Sequence, residues 1–299
     1  MLSKICFVIS ACGLLAYRKI AETSTIDDRI SKIFRPHKEY NRGCKVFVTV
    51  KKATLIGIVS IALVAVILLS SVAVTDSACV YFGKSTRKIP VYSVLTEDKV
   101  IALTFDAAWG ADKTQGILDV MAQNDAKGTF FLVGFWIDKF EKETKAIADA
   151  GFDIGNHSRN HLNMPKLSED EIKNEIEYVN DRVKELTGKT PVYFRAPFGD
   201  YDNKLMTSLE SLNMVGVQWS IDSLDWKGLS AKQIYERVVP KAKSGDIVLF
   251  HNNSDHVLDV LPMILTGLRA KGFRFVTLSE LVATENYTVD NNGVQRKNA

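Results

Sequence analysis

Residues 100–110 read VIALTFDAAWG: six residues that suit a buried strand lead directly into an acidic side chain, Asp106. Six further short apolar runs follow along the chain, at 129–133, 152–155, 192–195, 214–219, 246–250 and 273–276. Helical patterns separate these runs. Strand–helix alternation of this kind predicts an α/β fold in which helices cover parallel strands, either as a barrel or as a doubly wound sheet.

The clearest helical pattern spans residues 168–187. Ser168 and Glu171 have the spacing of a capping box, and apolar residues then recur at intervals of four and three. Gly188 follows as a stop signal. The sequence therefore predicts one long amphipathic helix here.

The composition is that of a globular protein. Of the 299 residues, 46% are hydrophobic and 24% are charged, which excludes disordered, collagen-like and disulfide-scaffold proteins. The formal net charge of +3 is too small to indicate a nucleic-acid partner. The charge is uneven, however: residues 1–52 carry 11 Lys and Arg against 4 Asp and Glu, which leaves 27 (38 − 11) against 31 (35 − 4) for the rest.

The basic segment 1–52 lies directly before a stretch with the pattern of a membrane-spanning helix. Residues 53–75 contain no charged side chain, and as a helix they would cross roughly 30 Å of hydrocarbon. A buried core helix is the alternative reading. The positive-inside rule predicts a single-pass protein of the cell membrane with a cytoplasmic N-terminus and an extracytoplasmic domain, and cleavage after Ala73 stays open. The predicted divisions are a basic leader (1–52), a transmembrane helix (53–75), a linker (76–89), a folded domain (90–284) and a polar, disordered tail (285–299).

The four cysteines all precede residue 80. The predicted folded domain (90–284) therefore has no thiol to form a disulfide or to bind a metal ion. Any metal ion in it must be held by histidines and carboxylates.

Polar residues whose side chains could act in catalysis or bind a metal ion follow the predicted strands. In chain order they are Asp106, the pair His157 and His161, Arg195, the pair Asp222 and Asp225, and His251. In a parallel barrel the carboxyl ends of the strands converge on one mouth, where active sites lie. The pattern predicts that these side chains share one site.

The two histidines are four residues apart, which on one helical turn would let both bind one metal ion; the alternative is two surface histidines. Asp106 ends an apolar strand, where it could act as a general base or as a metal ligand. The alternative is a purely structural aspartate that caps the N-terminus of a helix. Arg195 lies among apolar residues, and a buried guanidinium needs a carboxylate partner. Asp106 is the natural candidate, in a functional or a purely structural pair.

Asp225 and Trp226 form the last of these patterns. They place a carboxylate beside an aromatic surface of the kind that binds sugars. A core tryptophan beside a capping aspartate is the alternative.

Five motifs together resemble those of the polysaccharide deacetylases with a NodB-like domain. They are TFDAAWG (104–110), HSRNH (157–161), RAPFG (195–199), DSLDW (222–226) and IVLFH (247–251). The resemblance covers about residues 90–284, and it is strongest to the sporulation and cell-wall branch of that family.

The resemblance implies a distorted (β/α)7 barrel preceded here by one transmembrane helix, and metal-dependent removal of acetyl groups from N-acetylated amino sugars. It also implies roles for individual residues. These are Asp106 as base, His157 and His161 as metal ligands with Asp106 as a further candidate, Arg195 as the holder of the base, the Phe198 N–H as oxyanion donor, Trp226 and Leu249 as acetyl-pocket walls, His251 as general acid and Asp225 as the carboxylate that tunes it.

The first motif departs from the family pattern, because Ala107 stands where a metal-binding aspartate is usual. Two imidazoles alone fall short of the three protein ligands of a typical catalytic zinc site. Three possibilities stay open: Asp106 turns to the metal, the metal binds loosely with extra waters, or catalysis has been lost.

The expected cofactor is thus a divalent metal ion, zinc or else cobalt, nickel or manganese. The expected partners are a cell-wall glycan and the membrane, and no protein partner is indicated. The leading hypothesis is a peptidoglycan deacetylase. A catalytically silent glycan-binding module and a hydrolase of non-sugar amides or cyclic imides are the rivals.

Overall fold

A computed structural model of the chain describes residues 5–8, 47–50, 57, 60, 61, 63, 64 and 87–298. It divides into two compact units, Met1–Ser85 and Thr86–Ala299. In the first unit, β1 (Ile5–Val8) pairs antiparallel with β2 (Phe47–Val50). Most of the predicted membrane span and linker lies outside the described residues. No helix among the residues that are described has the length and apolar character to cross a membrane, so the span stays a prediction.

The strands of the second unit are β3 (Ser93–Val94), β4 (Val100–Ala107), β5 (Thr129–Leu132), β6 (Asp153–Asn156), β7 (Tyr193–Phe194), β8 (Val215–Gly216), β9 (Ile221–Asp222), β10 (Ile247–His251), β11 (Arg274–Val276), β12 (Tyr287–Val289) and β13 (Val294–Lys297). Strands β4 to β11 form a parallel sheet in the order β8-β7-β6-β5-β4-β10-β9, with β11 beside β4. Its helices are α1 (Thr114–Gln123), α2 (Gly134–Lys139), α3 (Glu141–Asp149), α4 (Glu169–Thr187), α5 (Asn203–Ser211), α6 (Ala231–Val238), α7 (Val257–Ala270) and α8 (Leu278–Leu281). The α/β prediction is confirmed, and the sheet fits the predicted barrel.

Strand β4 shows how the sheet is packed. Leu103 and Phe105 belong to the apolar cluster that includes the buried faces of the helices, whereas Val100 and Ala102 belong to a second cluster. Because successive side chains of a strand point to opposite faces, both faces of β4 are covered. This explains why every residue of β4 is buried.

Helix α4 confirms the predicted capping signals. The Ser168 hydroxyl accepts a hydrogen bond from the Glu171 N–H, and the Glu171 side chain accepts one from the Ser168 N–H. Gly188 ends the helix with a φ of 73°, a left-handed conformation that glycine adopts without steric cost.

The predicted strand at 214–219 is too long. Only Val215–Gly216 forms β8: the Val217 N–H still donates to the Phe194 carbonyl of β7, but the Gln218 N–H donates to the Val91 carbonyl instead. The chain then forms β9, which the sequence did not indicate, at the opposite end of the sheet. Asp222 thus ends β9 rather than following the strand that contains Val215.

The predicted disorder of the tail is wrong. Strands β12 and β13 pair antiparallel, and β13 pairs parallel with β3. The Gln295 side chain is buried and exchanges two hydrogen bonds of 2.8 Å with the Ala283 backbone. This polar segment is ordered because its hydrogen-bonding groups pair with backbone groups that are distant in the sequence.

Candidate active site

A cavity of about 590 Å³ opens at the carboxyl ends of the parallel strands. Its lining includes most of the side chains predicted from strand ends, namely Asp106, His157, His161, Asp222, Asp225 and His251. The volume is within the usual range for a small-molecule site. The predicted convergence of these residues is confirmed.

Arg195 lies fully buried beneath the cavity and holds Asp106. Its Nη1 donates a 2.7 Å hydrogen bond to Asp106 Oδ1, and its Nη2 donates to the Gln218 carbonyl at 3.0 Å. Burial alone would raise the pKa of Asp106, but the charge and hydrogen bond of Arg195, together with two nearby imidazoles, hold that pKa below its ordinary value. Asp106 is therefore an anion with one oxygen bound to Arg195 and the other facing the site.

That second oxygen, Oδ2, lies 3.5 Å from Nε2 of His157. His157 Nδ1 is 2.8 Å from the Arg195 carbonyl, an acceptor, so Nδ1 carries the proton and Nε2 presents a lone pair. Burial lowers the pKa of His157, which is thus neutral near pH 7. The unbound oxygen of Asp106 and the lone pair of His157 therefore both face the same point of the site.

His161 lies beside His157, with 5.0 Å between the ring centroids. Burial lowers the pKa of His161 to about 4, so it too is a neutral imidazole near pH 7. The predicted helical turn between them is wrong: residues 157–161 form a loop in which Ser158 and His161 have φ values of 65° and 54°. Left-handed backbone, rather than helical spacing, brings the two rings together.

Helix α4 fixes this loop through Glu175, which the sequence analysis missed. The two Glu175 carboxylate oxygens accept hydrogen bonds from the Asn160 N–H at 2.7 Å and from Asn160 Nδ2 at 2.6 Å. Glu175 is buried on the same helix face as Ile172 and Ile176. A glutamate on an apolar helical face needs a partner, and that was the available signal.

His251 and Asp225 form a second charged pair at the cavity. His251 Nδ1 lies 2.8 Å from Asp225 Oδ1, and the His251 N–H donates to Asp225 Oδ2 at 2.9 Å. Burial alone would lower the pKa of His251, but the hydrogen bond and charge of Asp225 outweigh it and raise that pKa above its ordinary value. In the register of β10 and β4, His251 lies directly beside Asp106.

The predicted apolar walls also line the cavity. Leu249 is buried, whereas the Phe198 and Trp226 side chains are 66% and 59% exposed at its mouth. Phe198 has a φ of 62°, and its ring centroid is 4.7 Å from that of His161. A third exposed aromatic ring, Trp109, lines the cavity as well and had no predicted role.

These residues fit a metal ion only in part. Within the described ranges there is no group of three or more His, Cys, Asp or Glu side chains placed to hold one. Ala107 is fully buried in the apolar cluster and does not line the cavity, although Asp106 and Ala108 on either side do. The two neutral imidazoles supply two ligands, and Asp106 is hydrogen bonded to Arg195 and is not placed with them as a third, so the set falls short of a three-ligand site.

Comparison with known proteins agrees with the motifs. Residues 93–217 match the family model for polysaccharide deacetylase. A peptidoglycan-N-acetylglucosamine deacetylase of Bacillus cereus is 39% identical over 189 residues, which cover 62% of this chain and 68% of that protein. The peptidoglycan-N-acetylmuramic acid deacetylase PdaA of Bacillus subtilis is 31% identical over 191 residues, which cover 62% and 73%.

Among solved structures, a protein of Bacillus anthracis described as a CE4 family pseudoenzyme is 30% identical, with a TM-score of 0.63. The match covers 65% of this chain and 69% of that one. A mutant of that same protein is described as having restored enzymatic activity. The neighbourhood of this chain thus includes both deacetylases and a pseudoenzyme.

Proposed function

This chain belongs to the polysaccharide deacetylase family, whose deacetylases are hydrolases of carbon–nitrogen bonds other than peptide bonds, and we propose that it removes acetyl groups from the N-acetylated sugars of peptidoglycan. One observation carries the proposal: Asp106 and His251 lie side by side on adjacent strands, and each is held by its own buried partner. The substrate is an N-acetylglucosamine or N-acetylmuramic acid residue of the wall glycan.

Asp106 serves as the base. Its Oδ2 is the oxygen that Arg195 leaves unbound, so it accepts the proton of the attacking water. The oxygen of that water forms the new bond to the acetamide carbon. The N–H of Phe198, at the cavity mouth, stabilises the negative charge that then develops on the carbonyl oxygen.

His251 serves as the acid. Its Nδ1–H is bound to Asp225, which leaves Nε2 to hold a proton on the cavity side. That proton passes to the sugar nitrogen as the carbon–nitrogen bond breaks, because an amine leaves readily only when it is protonated. Acetate and a free amino sugar are the products.

We also propose that a divalent metal ion binds at His157 and His161. Both imidazoles are neutral near pH 7, as metal ligands must be, which supports binding. The incomplete ligand set at Ala107 makes the expected affinity low. Zinc is the leading candidate, followed by cobalt, nickel and manganese.

The proposed location is the outer face of the cell membrane. The uncharged run at 53–75 would anchor the chain there, with the basic leader in the cytoplasm and the catalytic unit facing the wall. This arrangement brings the site to its polymeric substrate.

A second candidate is a catalytically silent glycan-binding module. It is favoured by Ala107 at the usual ligand position and by the similarity to a pseudoenzyme. The ordered pair of His251 and Asp225 argues against it, since binding alone has no need of a general acid.

The test measures acetate release by the full chain from N-acetylglucosamine oligomers and from peptidoglycan, with and without added divalent metal. His251→Ala should lower turnover about a hundred- to ten-thousand-fold. His256→Ala is the matched control, because His256 is bonded to Asp259 at the start of α7 and does not line the cavity. Glycan binding without acetate release under any metal condition would favour the silent module.

A further inference from the structure

Trp109 is an exposed aromatic residue at the cavity mouth for which the proposed chemistry has no use. Its side chain is 62% exposed, two residues beyond the end of β4. Exposing a tryptophan to water costs free energy, so an ordered and exposed ring at a site commonly has a ligand.

The backbone beside Trp109 is held rigidly. The Gly110 carbonyl accepts two side-chain hydrogen bonds, from Trp136 Nε1 at 2.6 Å and from Asn252 Nδ2 at 2.8 Å. Both donors belong to buried residues. Gly110 has a φ of 64°, which turns the chain so that the carbonyl meets both donors.

The Trp109 ring is part of a row of rings. Its centroid is 6.5 Å from that of Phe135 and 5.2 Å from that of His161, and the His161 centroid is 4.7 Å from that of Phe198. The row therefore runs from the cavity beside the histidines out to Phe135. A ligand on Trp109 would be continuous with one in the cavity.

Polar side chains line the same cavity as Trp109. Asn252, Asn253 and Asp255 line the same cavity, and the Asn253 amide lies 3.1 Å from the position that a Cβ on Gly110 would occupy. An aromatic face beside amide and carboxylate oxygens suits a ring with one apolar face and several hydroxyl groups. A pyranose has that chemistry.

We propose that Trp109 and Phe135 form a subsite for a second sugar ring of the glycan, next to the sugar whose acetamide reacts. The inference rests on the glycan substrate of the proposed function, but it does not require turnover. The stacked ring lends affinity through contact with the tryptophan, and it selects polymer over monosaccharide.

The test compares the binding of N-acetylglucosamine and of its β-1,4-linked oligomers, up to five sugars, by calorimetry on the chelated full chain. Wild-type affinity should rise with oligomer length. Trp109→Ala should weaken pentamer binding roughly ten-fold, the order of one aromatic stacking contact, and leave monomer binding unchanged. Trp109→Phe should retain most of the affinity.

Met263→Ala is the control, since Met263 is an exposed apolar residue on α7 away from the cavity. An equal loss for monomer and pentamer, or no loss, overturns the subsite and would assign Trp109 to covering His161. Absence of length dependence in the wild type also overturns it. Intact binding without acetate release in a parallel assay refutes the deacetylase function but leaves the subsite standing.

Discussion

Replacing Glu175 with alanine should loosen the loop that carries both histidines. Glu175 accepts two hydrogen bonds from Asn160, the residue before His161. Ser158 and His161 are held at positive φ, and such residues cost about 1–3 kcal/mol each when they are not glycine. Without Glu175 the strain is less well opposed, and the loop should relax toward ordinary backbone angles.

The magnitude follows from the two bonds. A hydrogen bond to a charged group contributes about 1.5–3 kcal/mol, and removal of the buried carboxylate relieves part of its desolvation cost. We expect Glu175→Ala to lower the free energy of unfolding by about 2 kcal/mol, which for a unit of this size lowers the thermal midpoint by about 4–8 °C. Glu175→Gln keeps one acceptor and should lose less.

The informative measurement is the pKa of His161 by NMR titration of metal-free protein. Burial holds that pKa at about 4, so a relaxed and more exposed His161 should titrate closer to its ordinary value. Glu177→Ala is the matched control, two residues along the same helix and exposed. If Glu175→Ala changes neither the midpoint nor the titration of His161, Glu175 does not position the loop.

Three further substitutions test the charged pairs and the altered motif. Asp225→Asn should lower the pKa of His251, because the charge of Asp225 raises it. Since the proposed reaction requires the protonated imidazole, the alkaline limb of the pH profile of kcat should move to lower pH. An alkaline limb that does not move would contradict the assignment of His251 as the acid. Arg195→Met should leave Asp106 as an unpaired buried anion and lower the free energy of unfolding by about 3–5 kcal/mol in denaturant titrations, whereas adding Asp106→Leu to it should restore most of the loss. Ala107→Asp should lower the thermal midpoint of the metal-free protein, because the position is fully buried among apolar groups on the face of β4 away from the cavity. The resemblance to the family motif predicts that it also tightens divalent metal binding, which requires the end of β4 to rearrange so that the new carboxylate reaches the histidines. A lower midpoint with unchanged metal affinity in calorimetry would refute that ligand assignment.

The parts of the site that follow parallel strands were predictable from the sequence. Asp106 and His251 each end an apolar run, and convergence of strand ends is a property of the whole architecture rather than of any one contact. The Arg195 partner was also predictable, because a buried guanidinium leaves few choices.

The parts of the site and of the fold that depend on long-range backbone contacts were not predictable from the sequence. The loop at 157–161 takes its shape from bonds to α4 and from the Gly134 N–H, which donates to the Ser158 carbonyl. The sequence HSRNH does not predict positive φ at its serine and its second histidine. In the same way β13 is a strand because β3 lies beside it, although its own residues are mostly polar.

Strand register also explains why the proposed acid and base lie next to each other while residue 107 does not join them. His251 and Asp106 are directly paired, and the Asn252 N–H donates to the Asp106 carbonyl at 3.1 Å, so their separation is set by the ladder itself. Residue 107 belongs to the other face: it pairs with Leu132, which pairs with Asn156, a side chain that bonds to α4. The Ala107 carbonyl also accepts a hydrogen bond from the Val133 N–H at 3.1 Å, so the backbone at this position is held in the sheet. The absence of a carboxylate at residue 107 therefore leaves the positions of Asp106 and His251 unchanged, and we expect proton transfer and metal affinity to be separable in the proposed reaction.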